Sequence, residues 1–377
     1  MVMERQTAMT DIPAIPLSRP SITDVEREAV LQVLATGRLS QGEWITAFED
    51  AFRAYLGIGE AVAVSSGTAG LQIAVRTFDL RPGDEVVTTP FTFIATASVL
   101  CHERLRPVFC DVDPGTLNID PAQVERAITP ATKALMVVDI FGSVADMPAL
   151  LAIAARHGLP VIEDACEALG ASLGGRKAGT FGRCAVFGFY PNKQITTGEG
   201  GMVVTADPEL AARVRRLRNH GRPGKAMQFE EVGFNFRLNE LAAALGKVQL
   251  ERIETILAMR RRRADWYREA LAAVPEVTCM PGGEERSPFI FYVLLRDRRM
   301  RDRVLNSMND KGIETSVYFP PLHLERAFRF LGHRLGDFPV TEDAAGRILA
   351  LPFWTDMPRE VVDAVVAGLR ESIAETR

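Results

Sequence analysis

Between residues 61 and 204 the chain alternates short, wholly apolar runs with longer stretches of helical character, and few architectures tolerate that rhythm. The apolar runs are 61–64, 85–88, 106–110, 134–138, 160–162, 184–189 and 202–204, with helical stretches at 68–78, 93–101, 121–128 and 147–157 between several of them. A strand with one wet face alternates apolar and polar residues, whereas a strand that is apolar throughout is covered on both faces. The alternation therefore predicts an α/β fold with a mostly parallel central sheet.

Outside that stretch the pattern differs. A helix is expected from 23 to about 36, with Thr23 as N-cap, Glu26 three residues on and Gly37 as the stop. After residue 205 helical segments dominate, at 208–218 and from 239 to about 274. The longer one carries the basic run 260–263, expected on a solvated face, with Leu245, Val248, Ile253, Ile256 and Leu257 as its apolar stripe. Strands at 289–295 and 314–318, a helix at 301–311 and a closing helix at 358–372 indicate a smaller C-terminal α/β domain. A chain of 377 residues exceeds what one core usually organises. The expected division is a lead-in 1–16, a large domain 17–250 and a small domain 251–377.

Charge and thiol usage narrow the function classes. Lysines and arginines number 44 against 48 carboxylates, a net charge of −4 with no long basic tract, which argues against nucleic acid as a partner. No apolar run approaches the ~18 residues needed to span a bilayer, and the first residues lack a secretory layout, so a cytoplasmic protein without membrane association is expected. The five scattered cysteines contain no C-x-x-C pair and read as reduced thiols, and the five histidines show no metal-ligand spacing.

The densest motif is Phe187-Gly-Phe-Tyr-Pro-Asn-Lys-Gln-Ile-Thr-Thr-Gly-Glu-Gly-Gly201. It presents Lys193 where a strand gives way to a loop. Partial desolvation there makes an amine a usable nucleophile, and the chemistry that most often needs one is a Schiff base with the aldehyde of pyridoxal phosphate (PLP). A surface lysine in a glycine-rich hairpin would show the same residues. Three other strand ends carry candidates. Ser65-Ser-Gly-Thr68 opens a helix, and such a turn either binds an anion through free N–H groups or is a capped turn. Asp164 follows a buried strand, where a carboxylate needs a cation or several donors; it would suit a pyridine nitrogen, or cap the next helix. Phe93, after Thr88-Thr-Pro-Phe-Thr92, could stack on a flat ring or pack in the core. Glu163 points to the opposite face and receives no role.

With these features placed, the chain resembles the DegT/StrS family of PLP-dependent nucleotide-sugar aminotransferases, within fold type I, the aspartate-aminotransferase-like fold. The likeness runs from about residue 17 to 323. It includes Ser65-Ser-Gly-Thr68, Pro82-Gly-Asp-Glu-Val86, Thr92-Phe-Ile-Ala-Thr96, Val161-Ile-Glu-Asp-Ala165 and Asn192-Lys193. It continues through Gly198-Glu-Gly-Gly201, Gly233-Phe-Asn-Phe-Arg-Leu238, Gln249-Leu-Glu-Arg252 and Pro320-Pro-Leu-His323. The resemblance implies that Lys193 forms the Schiff base and then carries the proton between donor and cofactor. It implies that Asp164 pairs with the pyridinium, Phe93 stacks on the ring, and Gly67 and Thr68 hold the phosphate. Asn235 would reach the phosphate of a neighbouring subunit, which implies a homodimer with sites at the interface. His220, Arg237, Tyr318 and His323 are candidates for the substrate side, and each could instead be a packing or interface residue.

Two positions depart from the pattern that resemblance implies. Gly188 stands where many members place a serine that donates to the phosphate, a loss of about 1–3 kcal/mol unless another donor fills in. Glu167 stands where many have Gln or His beside the phenolic oxygen of the ring; a carboxylate there must be protonated, turned away or paired with a cation. The implied activity is transfer of an amino group from an amino acid such as L-glutamate to a keto group of a nucleotide-linked deoxysugar. Alternatives are a cyclitol or other non-nucleotide ketone as acceptor, a dehydratase on the same scaffold (against which Lys193 argues, since such relatives carry histidine), or a non-catalytic ligand sensor. Specificity would sit in loops, including the N-terminal segment and residues 222–232.

Overall fold

The computed structural model describes residues 15–224 and 227–376; most of the expected lead-in, and two residues of the 222–232 loop, lie outside the described residues. Helix α1 (Asp24–Thr36) begins as its sequence predicts. The Thr23 N–H donates to Glu26 Oε2 at 2.7 Å, and Gly37 closes the helix at φ 67°. Helix α2 (Glu43–Leu56) was not anticipated. Its N-terminal N–H groups at Gly42 and Trp44 are capped by Glu240, almost two hundred residues later.

The central sheet contains β1 (Glu60–Val64), β2 (Glu85–Thr88), β3 (Arg106–Phe109), β4 (Thr132–Val138), β5 (Val161–Asp164), β8 (Cys184–Gly188) and β9 (Gly201–Thr205), after the small hairpin β6 (Ser172–Leu173) and β7 (Arg176–Lys177). Its order is β1-β9-β8-β5-β4-β2-β3. Strand β9 runs antiparallel to both neighbours and the remaining pairings are parallel. The α/β class with a mostly parallel sheet, expected from the strand rhythm, is the one adopted.

Adjacent strand residues enter different cores, which explains why the strands are apolar throughout. Val62 and Val64 pack with α3 (Gly67–Arg76), α4 (Ala95–His102) and α7 (Pro208–Leu217), whereas Ala61 and Ala63 pack with α2 and α8 (Glu240–Glu251). Val87 and Val161 face α5 (Pro121–Ala127) and α6 (Met147–His157). Each large apolar side chain so enclosed contributes about 1.5–3 kcal/mol.

The long helix expected over 239–274 breaks at Arg252 into α8 and α9 (Ile253–Leu271). Helix α9 passes from one core to another: Ile253, Ile256 and Leu257 join α2 and α8, while Ala264, Tyr267 and Leu271 join the C-terminal core. That core surrounds an antiparallel sheet of β10 (Thr278–Cys279), β11 (Phe291–Leu294) and β12 (Ile348–Leu351), flanked by α10 (Arg298–Asp310), α11 (Pro339–Arg347) and α12 (Arg359–Ala374). The strand expected at 314–318 is absent. Ser316 makes only an isolated bridge to Ala350, on the edge of β12 that faces away from β11.

The basic run 260–263 is solvated only in part: Arg262 is exposed and Arg261 and Arg263 are half-buried. Arg260 is buried and donates to the carbonyls of Pro288 (2.8 Å) and Phe289 (2.6 Å) and to Thr355 Oγ1 (3.2 Å). Burial pulls its pKa down to about 9. The guanidinium satisfies loop carbonyls that no strand partner reaches, so a charge that looked like surface pins the backbone before β11.

Candidate active site

The ends of β1, β2, β5 and β8, with the loops that follow, open into a cavity of about 500 Å³, within the usual size of a small-molecule site. Gly67, Thr68, Phe93, Asp164, Glu167, Gly188, Lys193 and Tyr318, all singled out from the sequence, line it. The sheet accounts for the convergence, because ligands of such sheets gather beyond the carboxyl ends of the strands.

Lys193 sits in a loop held from several sides. The Lys193 N–H donates to Tyr190 O at 2.9 Å, Thr197 N–H returns to Phe189 O at 3.0 Å, and Thr196 N–H donates to Gln249 Oε1 at 2.9 Å. The lysine side chain is mostly enclosed. Its Nζ lies 3.7 Å from Glu167 Oε1 and 3.8 Å from the centre of the Phe289 ring, contributed by the C-terminal region. Glu167 is fixed by its other oxygen, which accepts the Phe141 N–H at 2.9 Å, and by its carbonyl, which accepts from Gln194 Nε2 at 2.7 Å. Burial raises the Glu167 pKa, opposed by the Lys193 charge and the Phe141 N–H. Lys193 is thus the cation beside this carboxylate.

Asp164 ends β5 and is buried. Thr96 Oγ1 donates to its Oδ2 at 2.7 Å, the Cys166 N–H reaches Oδ1 at 3.3 Å, and Thr92 Oγ1 lies 3.0 Å from Thr96 Oγ1. Glu163, one residue earlier, points to the other face, where it accepts N–H groups from Gly179 (2.8 Å) and Gly182. Burial, against those hydrogen bonds, holds its pKa up to about 7.

At the third corner α3 starts at Gly67 with Ser66 as N-cap, its Oγ accepting the Ala69 N–H at 3.0 Å. The first N–H groups of a helix have no intrahelical acceptor and form an anion site. The chain is squeezed here. A Cβ on Gly67 would lie 3.0 Å from Cys166 Sγ and 3.2 Å from Gly188 Cα, and one on Gly201 would lie 2.6 Å from Ser66 O. Small residues on three segments thus keep the helix terminus open to the cavity. Phe93 presents a ring that is 56% exposed, not a core side chain. Asn192 Oδ1 is buried without a hydrogen-bond partner among the described residues, which suits a cavity built for a polar guest.

The remaining candidates lie elsewhere. His220 and Asn235 are exposed on the 219–237 loop, where Arg237 Nη1 donates to Asn219 Oδ1 at 3.0 Å, and none of the three lines the cavity. His323 takes the packing alternative. Its ring is buried against Phe338 (4.6 Å between centroids), with Nε2 2.9 Å from Glu342 Oε1, so it packs away from the cavity. Sequence reasoning assigned no role to Thr96, Cys166 or Phe289. Thr96 stands one helical turn after Thr92, a readable signal; Phe289 comes from a distant segment and gives none.

An amine, a buried carboxylate, a helix N-terminus and an open aromatic face around one cavity fit a flat, phosphorylated aldehyde with a basic ring nitrogen. The class so defined is that of α/β enzymes that hold such a cofactor in a cavity lined by a lysine amine. The family profile of the DegT/DnrJ/EryC1/StrS aminotransferases matches residues 20–370, and the chain belongs to that family. It is 38% identical to the GDP-perosamine synthase of Caulobacter vibrioides over 368 residues, 96% of this chain and 99% of that protein. Among solved structures, Helicobacter pylori PseC, an aminotransferase involved in the biosynthesis of pseudoaminic acid, superposes with a TM-score of 0.92 at 28% identity, covering 96% of this chain and all of that one. Spr1654 of Streptococcus pneumoniae, in its PLP form, gives 0.92 at 25% identity over 97% of this chain and all of that one.

Proposed function

We propose that this protein is a PLP-dependent aminotransferase that moves an amino group from an amino acid, L-glutamate in the first instance, to a keto group of a nucleotide-linked deoxysugar. The observation that carries the reading is Lys193 Nζ and the Asp164 carboxylate lining one cavity with the α3 N-terminus. Bound there, PLP would supply an electrophilic aldehyde and an electron sink for the bond broken at the donor Cα.

The chain's own groups divide the work. The N–H groups of Gly67 and Thr68 would hold the phosphate, with Gly188 leaving the space a serine hydroxyl would take. Asp164 would keep the ring nitrogen protonated, with Thr96 fixing the orientation of the carboxylate. Phe93 would cover one face of the ring. Lys193 Nζ would move the proton from the donor Cα to C4′ of the cofactor, two bonds away, and Glu167 would hold that amine in place between the two half-reactions. Tyr318 would face the sugar. Asn235 would act on the phosphate of a second copy, with His220 and Arg237 beside it, so the working unit would be a homodimer. Nucleotide-sugar substrates and five free thiols suit the cytoplasm.

The test adds PLP to purified protein, records the visible absorption of the bound cofactor, and then adds L-glutamate. Bleaching by glutamate, recovery with release of aminated sugar on adding a nucleotide keto-sugar, and no band in Lys193→Ala are expected. A band that persists unchanged in Lys193→Ala would sink the proposal.

A further inference from the structure

A second cavity, of about 180 Å³, lies between α9 and the loop before β11. Arg261, Asp265 and Arg268 share one face of α9, and Gly282, Glu284 and Arg286 close the other side. Three guanidinium groups therefore meet two carboxylates, in a molecule whose net charge is −4.

The pairing inside it is incomplete. Arg268 Nη2 donates to Asp265 Oδ1 at 2.5 Å, but its Nη1 is buried with no acceptor among the described residues. Arg261 spends its Nε on the Arg286 carbonyl at 3.1 Å. The Arg286 guanidinium is half-buried, and burial lowers its pKa, with Tyr292 opposing and the nearby Arg268 charge adding to the fall. A half-buried guanidinium that faces a second cation is costly, and Asp265 pairs with Arg268. The loop is also pressed close: a Cβ on Gly282 would lie 3.1 Å from Arg268 Cζ.

We propose that this pocket binds one phosphate-sized dianion. Guanidinium forks match phosphoryl oxygens two at a time, and a free Nη1 with an unpaired neighbouring arginine supplies that arrangement. The cavity is smaller than the roughly 300–1,000 Å³ of organic-ligand sites, so it takes a phosphoryl group and not a whole nucleotide. The source is either free phosphate or the phosphoryl end of a larger molecule projecting from the mouth. Pro288, which lines the pocket, precedes Phe289, whose ring touches the Lys193 amine. Occupancy therefore bears on the backbone that supports the lysine.

The test uses PLP-saturated protein freed of excess cofactor, so that the α3 N-terminus is filled. Inorganic phosphate and a nucleoside diphosphate are titrated separately at constant ionic strength, with binding heat and Tm as readouts. A saturable response is expected in the wild type, weakened at least about tenfold in Arg286→Met and in Arg268→Met, the loss of one or two charge-assisted hydrogen bonds. Both variants should keep the wild-type circular dichroism spectrum, and two variants guard against one that fails to fold. Tighter binding of the diphosphate, lost in the variants, assigns the phosphoryl end of a larger molecule; tighter binding of phosphate assigns the free ion. No saturable response, or one equal in wild type and both variants, overturns the site.

Discussion

Two parts of the molecule carry the candidate residues, and they are built differently. The strand-end side, from Gly67 through Phe93 and Asp164 to Lys193, converges on one cavity, and its polar groups are held by hydrogen bonds inside the chain. The 219–237 loop presents His220 and Asn235 to solvent and only turns Arg237 back onto Asn219. One side is preorganised by a sheet; the other has groups without a target in the single chain. The contrast suggests that the first set acts within a subunit and the second across a subunit boundary.

Removing the lysine tests the preorganised side most severely. Lys193→Ala should lower turnover at least about 10²–10⁴-fold, the usual cost of losing a positioned acid–base group, and abolish the cofactor band. Steady-state rates with glutamate and a keto-sugar read the first effect. Asp164→Asn should follow, at about 3–5 kcal/mol in kcat/KM if it breaks a buried charge pair. Thr96→Val, which deletes the 2.7 Å hydrogen bond to Asp164 along with the 3.0 Å contact to Thr92 Oγ1, should cost about 1.5–3 kcal/mol in PLP affinity. In the Asp164→Asn background the Thr96 effect should nearly vanish, because both changes act on one contact. Full additivity would show that Thr96 serves the helix and not the carboxylate.

The same contrast governs what the sequence made legible. Lys193, Asp164 and Ser65-Ser-Gly-Thr68 could be placed because each follows an apolar run, and a parallel sheet gathers such ends together. Phe289 and Thr355 could not, since their positions depend on how α9 and Arg260 lay the C-terminal loop against the first core. Arg260 itself was misread because a four-arginine run resembles a wet surface until the carbonyls it satisfies are known. Which of its two readings His323 follows was not legible either, since the Glu342 partner that holds it inward lies on a later helix. Helix α2 carries a readable stripe at 45, 48, 52 and 56, but its cap comes from Glu240, outside any local window.

Glu163 offers a test on the sheet side that does not involve turnover. Its folded pKa, about 7, lies above the ordinary value of 4.5, chiefly through burial, with Arg176 and three backbone N–H groups opposing. A group raised in this way contributes its full stability below about 4.5 and loses it as pH rises through about 7. Asp139, buried nearby, and Glu167 are raised as well, so their contributions change in the same direction. Urea midpoints should therefore fall between pH 5 and 8 in the cofactor-free protein, and Glu163→Gln should flatten part of that slope whatever constant cost it adds. An unchanged slope would show that Glu163 is already ionised at pH 5 by its N–H donors.

The smallest effect is expected from the loop, and it bears most directly on the contrast. Asn235→Ala removes one exposed amide, and the loss of a single hydrogen bond to phosphate predicts PLP affinity weakened by about 0.5–1.5 kcal/mol, a few-fold to about tenfold. The size alone does not say whose phosphate is touched; mixing subunits does. Lys193→Ala chains keep Asn235 but cannot react, so in a mixed dimer with Asn235→Ala the only competent lysine sits on the chain that lacks its own asparagine. If Asn235 reaches across the interface, those lysine sites receive the intact asparagine from the inactive partner and regain wild-type PLP affinity. If it acts within its own chain, every competent site keeps the weakened affinity however the subunits are mixed. Titrating PLP into refolded mixtures at several subunit ratios, with the glutamate half-reaction as readout, separates the two. The second result would return the loop to the cis side of the comparison and remove the ground for a shared site.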